Sequence, residues 1–299
     1  MDPAAHGKNS PNRLVVLGAG YVGGQLAREA RSRGFEVVAL TRNPVKAAAL
    51  REDGIQVVEA DLANTDWHAR MPANVDLVLN AVSSGGGGLE GYRHSYVVGM
   101  KSVMSWVWQS RPRTVVYTGS TSVYPQDGGI EVDETAATEP ADERAALLLE
   151  AERIALAEAL PAVRVFVLRL AGIYGPGRHH LLDQIRAGEA LAGSGERRLN
   201  LVHRDDICAA IWRCFSAPPE VGGGIFNVVD DAPAPRAEVA TWIAGRLGLP
   251  EPVFDAGRPG RRRAAMPDRT IRNGKLRAIL GWQPRHPTFR EGYETLLSR

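Results

Sequence analysis

Lysine is scarce in this sequence. Of its 36 Lys+Arg residues only Lys8, Lys46, Lys101 and Lys275 are lysines, and the other 32 are arginines, so any chemistry that needs a lysine has four candidates. Cysteine is scarcer still. Cys208 and Cys214 are the only two; six apart on a helical stretch they stand about 9 Å from each other, too far to bridge. A disulfide framework is excluded, and a reducing, cytoplasmic setting is expected. Charge of one sign is also missing. With 36 basic against 34 acidic residues and a net charge of +2, the chain has no long basic run to hold nucleic acid or an anionic membrane surface. No apolar run reaches the ~20 residues that cross a bilayer. The opening MDPAAHGKNSPN lacks the apolar core of a secretory signal and reads as a flexible leader. The motifs G-x-S-x-G, H-E-x-x-H, C-x-x-C and G-x-x-x-x-G-K-[ST] are absent too, which removes the common hydrolase, zinc-protease, dithiol and P-loop classes. The remaining partner class is a small molecule.

What is present is a repeating pattern. Arg13 to Leu17 is a short apolar run that meets glycines at once, and Tyr21 to Arg33 then shows helical spacing stopped by Gly34. EVVAL from Glu36, a helix begun by Pro44 and running to Glu52, QVVEA from Gln56, a short helix near Asp66 and VDLVLN from Val75 follow. After the break at Gly85 to Gly88 come a long helix from Leu89 to Gln109, the strand TVVYTGS, a helix from Asp142 to Leu160 ended by Pro161, and the strand VRVFVLRL. Apolar runs alternating with helices predict an α/β fold, a Rossmann-like doubly wound parallel sheet. Beyond Tyr174 the pattern loosens into a strand near Asn200, a helix from Asp205 to Ser216, GIFNVV and a Pro/Gly/Arg-rich stretch at 255–268. The expected organisation is a leader at 1–12, a dinucleotide-binding domain at 13–175 to which the helix at 205–216 and the strand at 225–229 return, and a smaller C-terminal α+β substrate lobe over 176–299.

Gly18, Gly20 and Gly23 form G-x-G-x-x-G between a strand and a helix. In that context the first glycine permits a tight turn, the second lets backbone approach a pyrophosphate, and the third lets the helix pack on the sheet. Tyr21 and Val22 lie inside the same turn. The end of the second strand reads Leu40-Thr41-Arg42-Asn43, with an arginine where a carboxylate would bind a ribose 2′-OH. An arginine there suits a 2′-phosphate, so NADP is favoured over NAD. Asp61 and Leu62 after the third strand are candidates for the adenine, and Asn80 and Ala81 after the fourth lie where the chain crosses the cofactor.

GAGYVGG at 18–24, ADL at 60–62, TGSTSVYP at 118–125, LRLAGIYGPGR at 168–178, LVHRDDICAAI at 201–211, FNVVDD at 226–231 and LGWQPRHPTFREGY from Leu280 together resemble the extended short-chain dehydrogenase/reductases. That group comprises nucleotide-sugar epimerases, dehydratases and related reductases. The glycine spacing is closer to its divergent, atypical branch. The resemblance implies a hydride-transfer site in which a Ser/Thr and a Tyr hydrogen-bond the substrate oxygen, and a Lys four residues after that Tyr holds the nicotinamide ribose and lowers the phenol pKa. Ser120 matches the serine. The pair does not match: Arg144 and Leu148 fall at its two positions, and the residues four before the four lysines are Ala4, Arg42, Val97 and Ile271. No Tyr-x-x-x-Lys occurs anywhere in the chain.

Three readings therefore stay open. In the first, the protein is an NADP-dependent oxidoreductase with a relocated proton donor, Tyr124 and Tyr96 being the nearest phenols and Arg144 an electrostatic stabiliser. In the second it is an epimerase or dehydratase whose acid/base groups are drawn from Asp127, Glu131, Asp133 and Glu134. In the third it binds NADP as a sensor without turnover. Ile173 is expected beside the nicotinamide, and His203 as a helix-orienting residue. His179 and His180 read as loop histidines without metal companions, and Arg261 to Arg263 as a solvated cluster or an anion site. A homodimer through the helices at 89–109 and 142–160 is the family's usual assembly, with a monomer the alternative.

Overall fold

A computed structural model of the chain describes residues 12–255, 257 and 267–298. Arg261 to Arg263 and most of the leader lie outside the described residues. The chain divides into two compact units, one of residues 1–118 and 150–166, the other of residues 119–149 and 167–299.

The first unit begins with β1 (Arg13–Leu17), α1 (Tyr21–Ser32), β2 (Glu36–Thr41), α2 (Pro44–Glu52), β3 (Gln56–Glu59) and β4 (Leu77–Asn80). Leu14 to Leu17 are completely buried, as expected of a strand covered on both faces. In α1 the buried Val22, Leu26, Ala27 and Ala30 recur at helical spacing on one face. Asn43 caps α2 by accepting a hydrogen bond from the Lys46 N–H at 3.0 Å, and Pro44 takes the first helical position. The helix expected near Asp66 is one 3-10 turn, His68–Arg70, beside Trp67, whose indole N–H donates to the carbonyls of Leu62 and Asn64.

The long helix expected from Leu89 is present in three pieces: α3 (Gly88–Tyr92), a π-helical segment (Arg93–Val98) and α4 (Gly99–Ser110). The wide turn puts Gly99 against Leu62, whose Cδ2 would lie 3.3 Å from an added Cβ. After β5 (Thr114–Ser120) come β6 (Ile130–Val132), α5 (Glu143–Ala157) and β7 (Arg164–Leu170). The division between the units falls inside β5, α5 and β7.

In the second unit follow β8 (Gly172–Tyr174), α6 (His180–Arg186), β9 (Leu191–Ala192), β10 (Arg198–Leu199), β11 (Leu201–His203), α7 (Arg204–Phe215) and β12 (Gly224–Val228). The chain closes with β13 (Ala234–Pro235), α8 (Arg236–Leu247), β14 (Phe254–Asp255), β15 (Arg269–Ile271), α9 (Gly274–Leu280) and α10 (Phe289–Leu297). The central sheet has seven strands in the order β12-β7-β5-β4-β1-β2-β3, with parallel registers such as Leu14↔Val37 and Leu14↔Leu77. The order reverses between β1 and β4, the switch point at whose strand C-termini such sheets bind ligands. Four two-stranded sheets, β8 with β11, β10 with β13, β9 with β14 and β6 with β15, complete the second unit. Its core gathers Leu182, Ile185, Val239, Ile243, Phe289 and Tyr293. Cys208 and Cys214 are both buried and unbridged on α7. Among the described residues no helix is long and apolar enough to cross a membrane.

Candidate functional site

The first unit gathers the glycine turn and the ends of β2, β3 and β4. Gly18 and Ala19 donate their N–H groups to the Leu40 carbonyl, both at 3.0 Å, which ties the turn to β2. Gly18 has φ +86°, and a Cβ there would lie 2.6 Å from Val82 N, so the turn sits against the chain leaving β4. A Cβ on Gly23 would lie 2.3 Å from the Gly18 carbonyl oxygen, which makes it the close-packing glycine. Gly20 differs. Nothing lies within 4 Å of a Cβ there, and Gly20 caps α1 without any side-chain bond. The open face at the start of α1 fits a pyrophosphate. Tyr21 is half-buried and Val22 buried beside them.

Thr41 is buried and Arg42 exposed. The Arg42 Nη1 lies 3.1 Å from Asp61 Oδ2, and its Nη2 would stand 3.0 Å from a Cβ on Gly85. Asp61 Oδ2 also receives His94 Nε2 at 3.1 Å, while Oδ1 accepts the Ala63 N–H at 3.0 Å. Burial alone would raise the Asp61 pKa, but the bonds from Ala63, His94 and Arg42 hold it below the usual carboxylate range. Leu62 is buried at the same strand end. Asn80 is buried: its Oδ1 accepts the Val82 N–H at 3.3 Å and its carbonyl accepts Thr118 Oγ1 at 3.4 Å. Ala81 N–H donates to Leu17 at 2.8 Å. Tyr96, in the π-helical segment, is half-exposed, and burial followed by the neighbouring Tyr92 pushes its phenol up to about 12. His94 was not apparent from the sequence, because its partner is 33 residues away and a π turn shifts the faces that ordinary helical spacing would assign.

The other site candidates stand in the second unit. Ser120 is half-buried, and its Oγ lies 2.9 Å from Ser122 Oγ and accepts the Ser122 N–H at 3.1 Å. Tyr124, proposed from sequence as a proton donor, is buried; its hydroxyl donates to Asn227 Oδ1 at 2.9 Å and its ring lies under Arg169 at 4.8 Å. Burial raises its pKa despite the Arg169 charge. Arg144 is half-buried on α5, with Leu148 buried one turn on. Ile173 is half-buried in β8, paired with Val202. The acidic group is tied into its surroundings: Asp127 accepts the Asp268 N–H at 2.6 Å, Asp133 the Thr135 N–H at 2.8 Å, Glu134 the Asn227 N–H at 2.6 Å, and Glu131 pairs with Arg272.

His203 caps α7 by accepting the Asp205 N–H at 3.3 Å, the helix-orienting place expected of it. His179 pairs with Asp183 at 2.9 Å, and His180 is exposed. Among the described residues one set of three potential metal ligands lies close together, His203, Asp206 and His286. Asp206 is already saturated, accepting the N–H of Arg285 at 2.6 Å, the N–H of His286 at 3.1 Å and His286 Nδ1 at 2.8 Å. That set latches the C-terminal segment.

The parallel sheet, the glycine turn at its switch point and the open helix N-terminus define a dinucleotide-binding α/β protein. Comparison with known proteins is specific: residues 14–228 match the NAD dependent epimerase/dehydratase family, and the chain belongs to that family. It is 31% identical over 248 residues to Protein YeeZ of Escherichia coli (strain K12), covering 81% of this chain and 86% of that one. It is 26% identical over 253 residues to 2-alkyl-3-oxoalkanoate reductase of Stenotrophomonas maltophilia (strain K279a), covering 79% and 76%. The solved structure of MoeE5 in complex with UDP-glucose and NAD superposes with a TM-score of 0.82 at 24% identity, over 96% of this chain and 98% of that one, and shares the fold. The protein is thus an enzyme of the kind this family comprises, using a nicotinamide dinucleotide.

Proposed function

We propose that this protein is an NADP(H)-dependent reductase of a carbonyl group on a small polar substrate, working without a Tyr-x-x-x-Lys pair. The observation that carries the reading is the buried Leu148 at the lysine position on α5. No cation stands there to lower a phenol, and the two phenols the sequence offered, Tyr96 and Tyr124, are raised above their ordinary value. A raised phenol is a poor base, so a reaction that starts by deprotonating an alcohol is disfavoured; epimerisation through an oxidised intermediate starts that way. Reduction of a carbonyl needs positioning and a hydrogen-bond donor, and a neutral hydroxyl supplies that. The 2-alkyl-3-oxoalkanoate reductase among the relatives supports the same direction.

When bound, the dinucleotide would supply the hydride. Gly18, Gly20 and the first turn of α1 would hold its pyrophosphate, Asp61 and Leu62 its adenine, and Arg42 its 2′-phosphate. Ser120 donates a hydrogen bond to the substrate oxygen, Arg144 stabilises the negative charge that builds there, and the alkoxide left by hydride transfer takes its proton from solvent water. Tyr124, its proton committed to Asn227, keeps the Ser120 strand end in place.

Titration of the purified chain with NADPH and NADH, each followed by nicotinamide fluorescence, and NADPH oxidation against a panel of aldehydes and ketones test the reading. Expected are tighter binding of NADPH, its oxidation by at least one carbonyl compound, and a kcat loss of about 10²-fold in Ser120→Ala. Binding without turnover, with Ser120→Ala indistinguishable from the parent, would establish a sensor in place of a reductase.

A further inference from the structure

Asp61 Oδ2 holds two donors at once, Arg42 Nη1 and His94 Nε2, each at 3.1 Å. This matters for a cofactor carrying a 2′-phosphate, because Arg42 then has two anions to serve. If Arg42 turned from Asp61 to the phosphate and nothing replaced it, a carboxylate held only by the Ala63 N–H would stand beside the incoming dianion, and like charges at close range repel. His94 is the group that removes this cost. It approaches Asp61 from the π-helical segment, a different element from the strand end that carries Arg42. Room for the guanidinium to turn is also built in: Gly85, at φ +64°, presents no side chain where a Cβ would stand 3.0 Å from Arg42 Nη2.

We propose that His94 is a positioning residue for cofactor selection, which keeps Asp61 compensated and thereby releases Arg42 to a 2′-phosphate. The proposal rests on the NADP reading above. Its action runs through Asp61, so removing His94 leaves Arg42 and the Ala63 N–H as the partners of that carboxylate and penalises NADPH alone. NADH, which asks nothing of Arg42, is untouched by that competition. The neutral imidazole suffices in its Nε2–H tautomer, which donates to the carboxylate.

Equilibrium fluorescence titration of NADPH and NADH against the full chain and the variants Arg42→Ala, His94→Ala, His94→Gln and His94→Ala/Asp61→Asn tests it, with circular dichroism to verify that each is folded. His94→Ala is expected to lose about fivefold in NADPH affinity with NADH unchanged, as befits the loss of one part-exposed hydrogen bond to a carboxylate. His94→Gln, which retains an N–H donor, should keep the parent preference, and the double variant should regain it because a neutral amide no longer competes for Arg42. Equal weakening of both cofactors in His94→Ala, or no recovery in the double variant, overturns the assignment of His94 while an Arg42→Ala variant that loses its preference leaves the NADP reading standing. Should Arg42→Ala keep the parent preference, the NADP reading fails and this proposal fails with it.

Discussion

Gly20 and Gly23 sit three residues apart, and the same added methyl group has opposite meanings at the two positions. At Gly20, φ is −86° and a Cβ meets nothing within 4 Å. At Gly23 the Cβ would stand 2.3 Å from a backbone oxygen that cannot swing aside, and 3.1 Å from Val16 Cγ1. Gly20→Ala is therefore expected to cost no more than about 1 kcal/mol, from the poorer N-cap alone, while weakening both NADPH and NADH, since the methyl fills the face reserved for the pyrophosphate. Gly23→Ala is expected to cost about 1–3 kcal/mol of stability through overpacking. Urea unfolding and nicotinamide fluorescence, measured on both variants, separate the two roles; a Gly20→Ala protein that binds as the parent does would remove Gly20 from the cofactor site. These two glycines could be read from the sequence because a strand–turn–helix context leaves few geometries. The partners of Asp61 could not, since hydrogen bonds that span 19 and 33 residues leave no periodic trace.

At the scale of elements, α10 meets β8 through a contact that no helical pattern announces. The Tyr174 hydroxyl would lie 1.7 Å from a Cβ on Gly292, its ring stacks on Tyr293 at a centroid distance of 4.9 Å, and its Oη is buried without a hydrogen-bond partner among the described residues. Helix propensity alone favours Ala over Gly in a helix interior by about 1 kcal/mol. The clash reverses that sign, and Gly292→Ala is expected to destabilise by about 1–3 kcal/mol. Tyr174→Phe is expected to be neutral or slightly stabilising, because it deletes a buried hydroxyl that earns no bond. In the Gly292→Ala background it should recover part of the loss; the ring carbon Cζ, 2.5 Å from the same Cβ, keeps the rescue incomplete. A double-mutant cycle by urea unfolding reads the coupling, and strict additivity would show that α10 does not rest on Tyr174. The strand–helix alternation of β1 to β5 was legible because each element carries its own period. The two-residue strands of the second unit were not, since pairs such as Arg198↔Pro235 are fixed by distant partners and not by local pattern.

Over the whole molecule, the pH dependence of folding separates two buried groups of opposite sign. Asp230 is almost fully buried and its Oδ1 finds no partner among the described residues; burial, then the neighbouring Asp231, Asp206 and Glu291, push its carboxyl up to about 8. Unfolded, it titrates near 3.8. Between those values the unfolded chain releases a proton that the folded protein keeps, so this contribution is full below 3.8 and is lost as pH rises through about 8, at a slope of up to about 1.4 kcal/mol per pH unit. His203 runs the other way. Burial, then the charge of His286, lowers its pKa from 6.5, so it is neutral in both states well above that value and adds no slope there. Below it, the unfolded chain takes up a proton that the folded protein refuses, and stability falls as pH falls. From pH 6.5 to 8 the opposition of His203 is confined to the lower end of the window and amounts to about 0.4 kcal/mol, well below the Asp230 contribution. The parent is expected to lose stability over that window, and Asp230→Asn, which cannot titrate, to hold a flatter line. Urea midpoints of both proteins at pH 6.5 and 8 decide the matter. Parallel lines for the two would mean that Asp230 is already ionised in the fold, and that its carboxylate has found a compensating partner at the junction of β12 and the C-terminal segment.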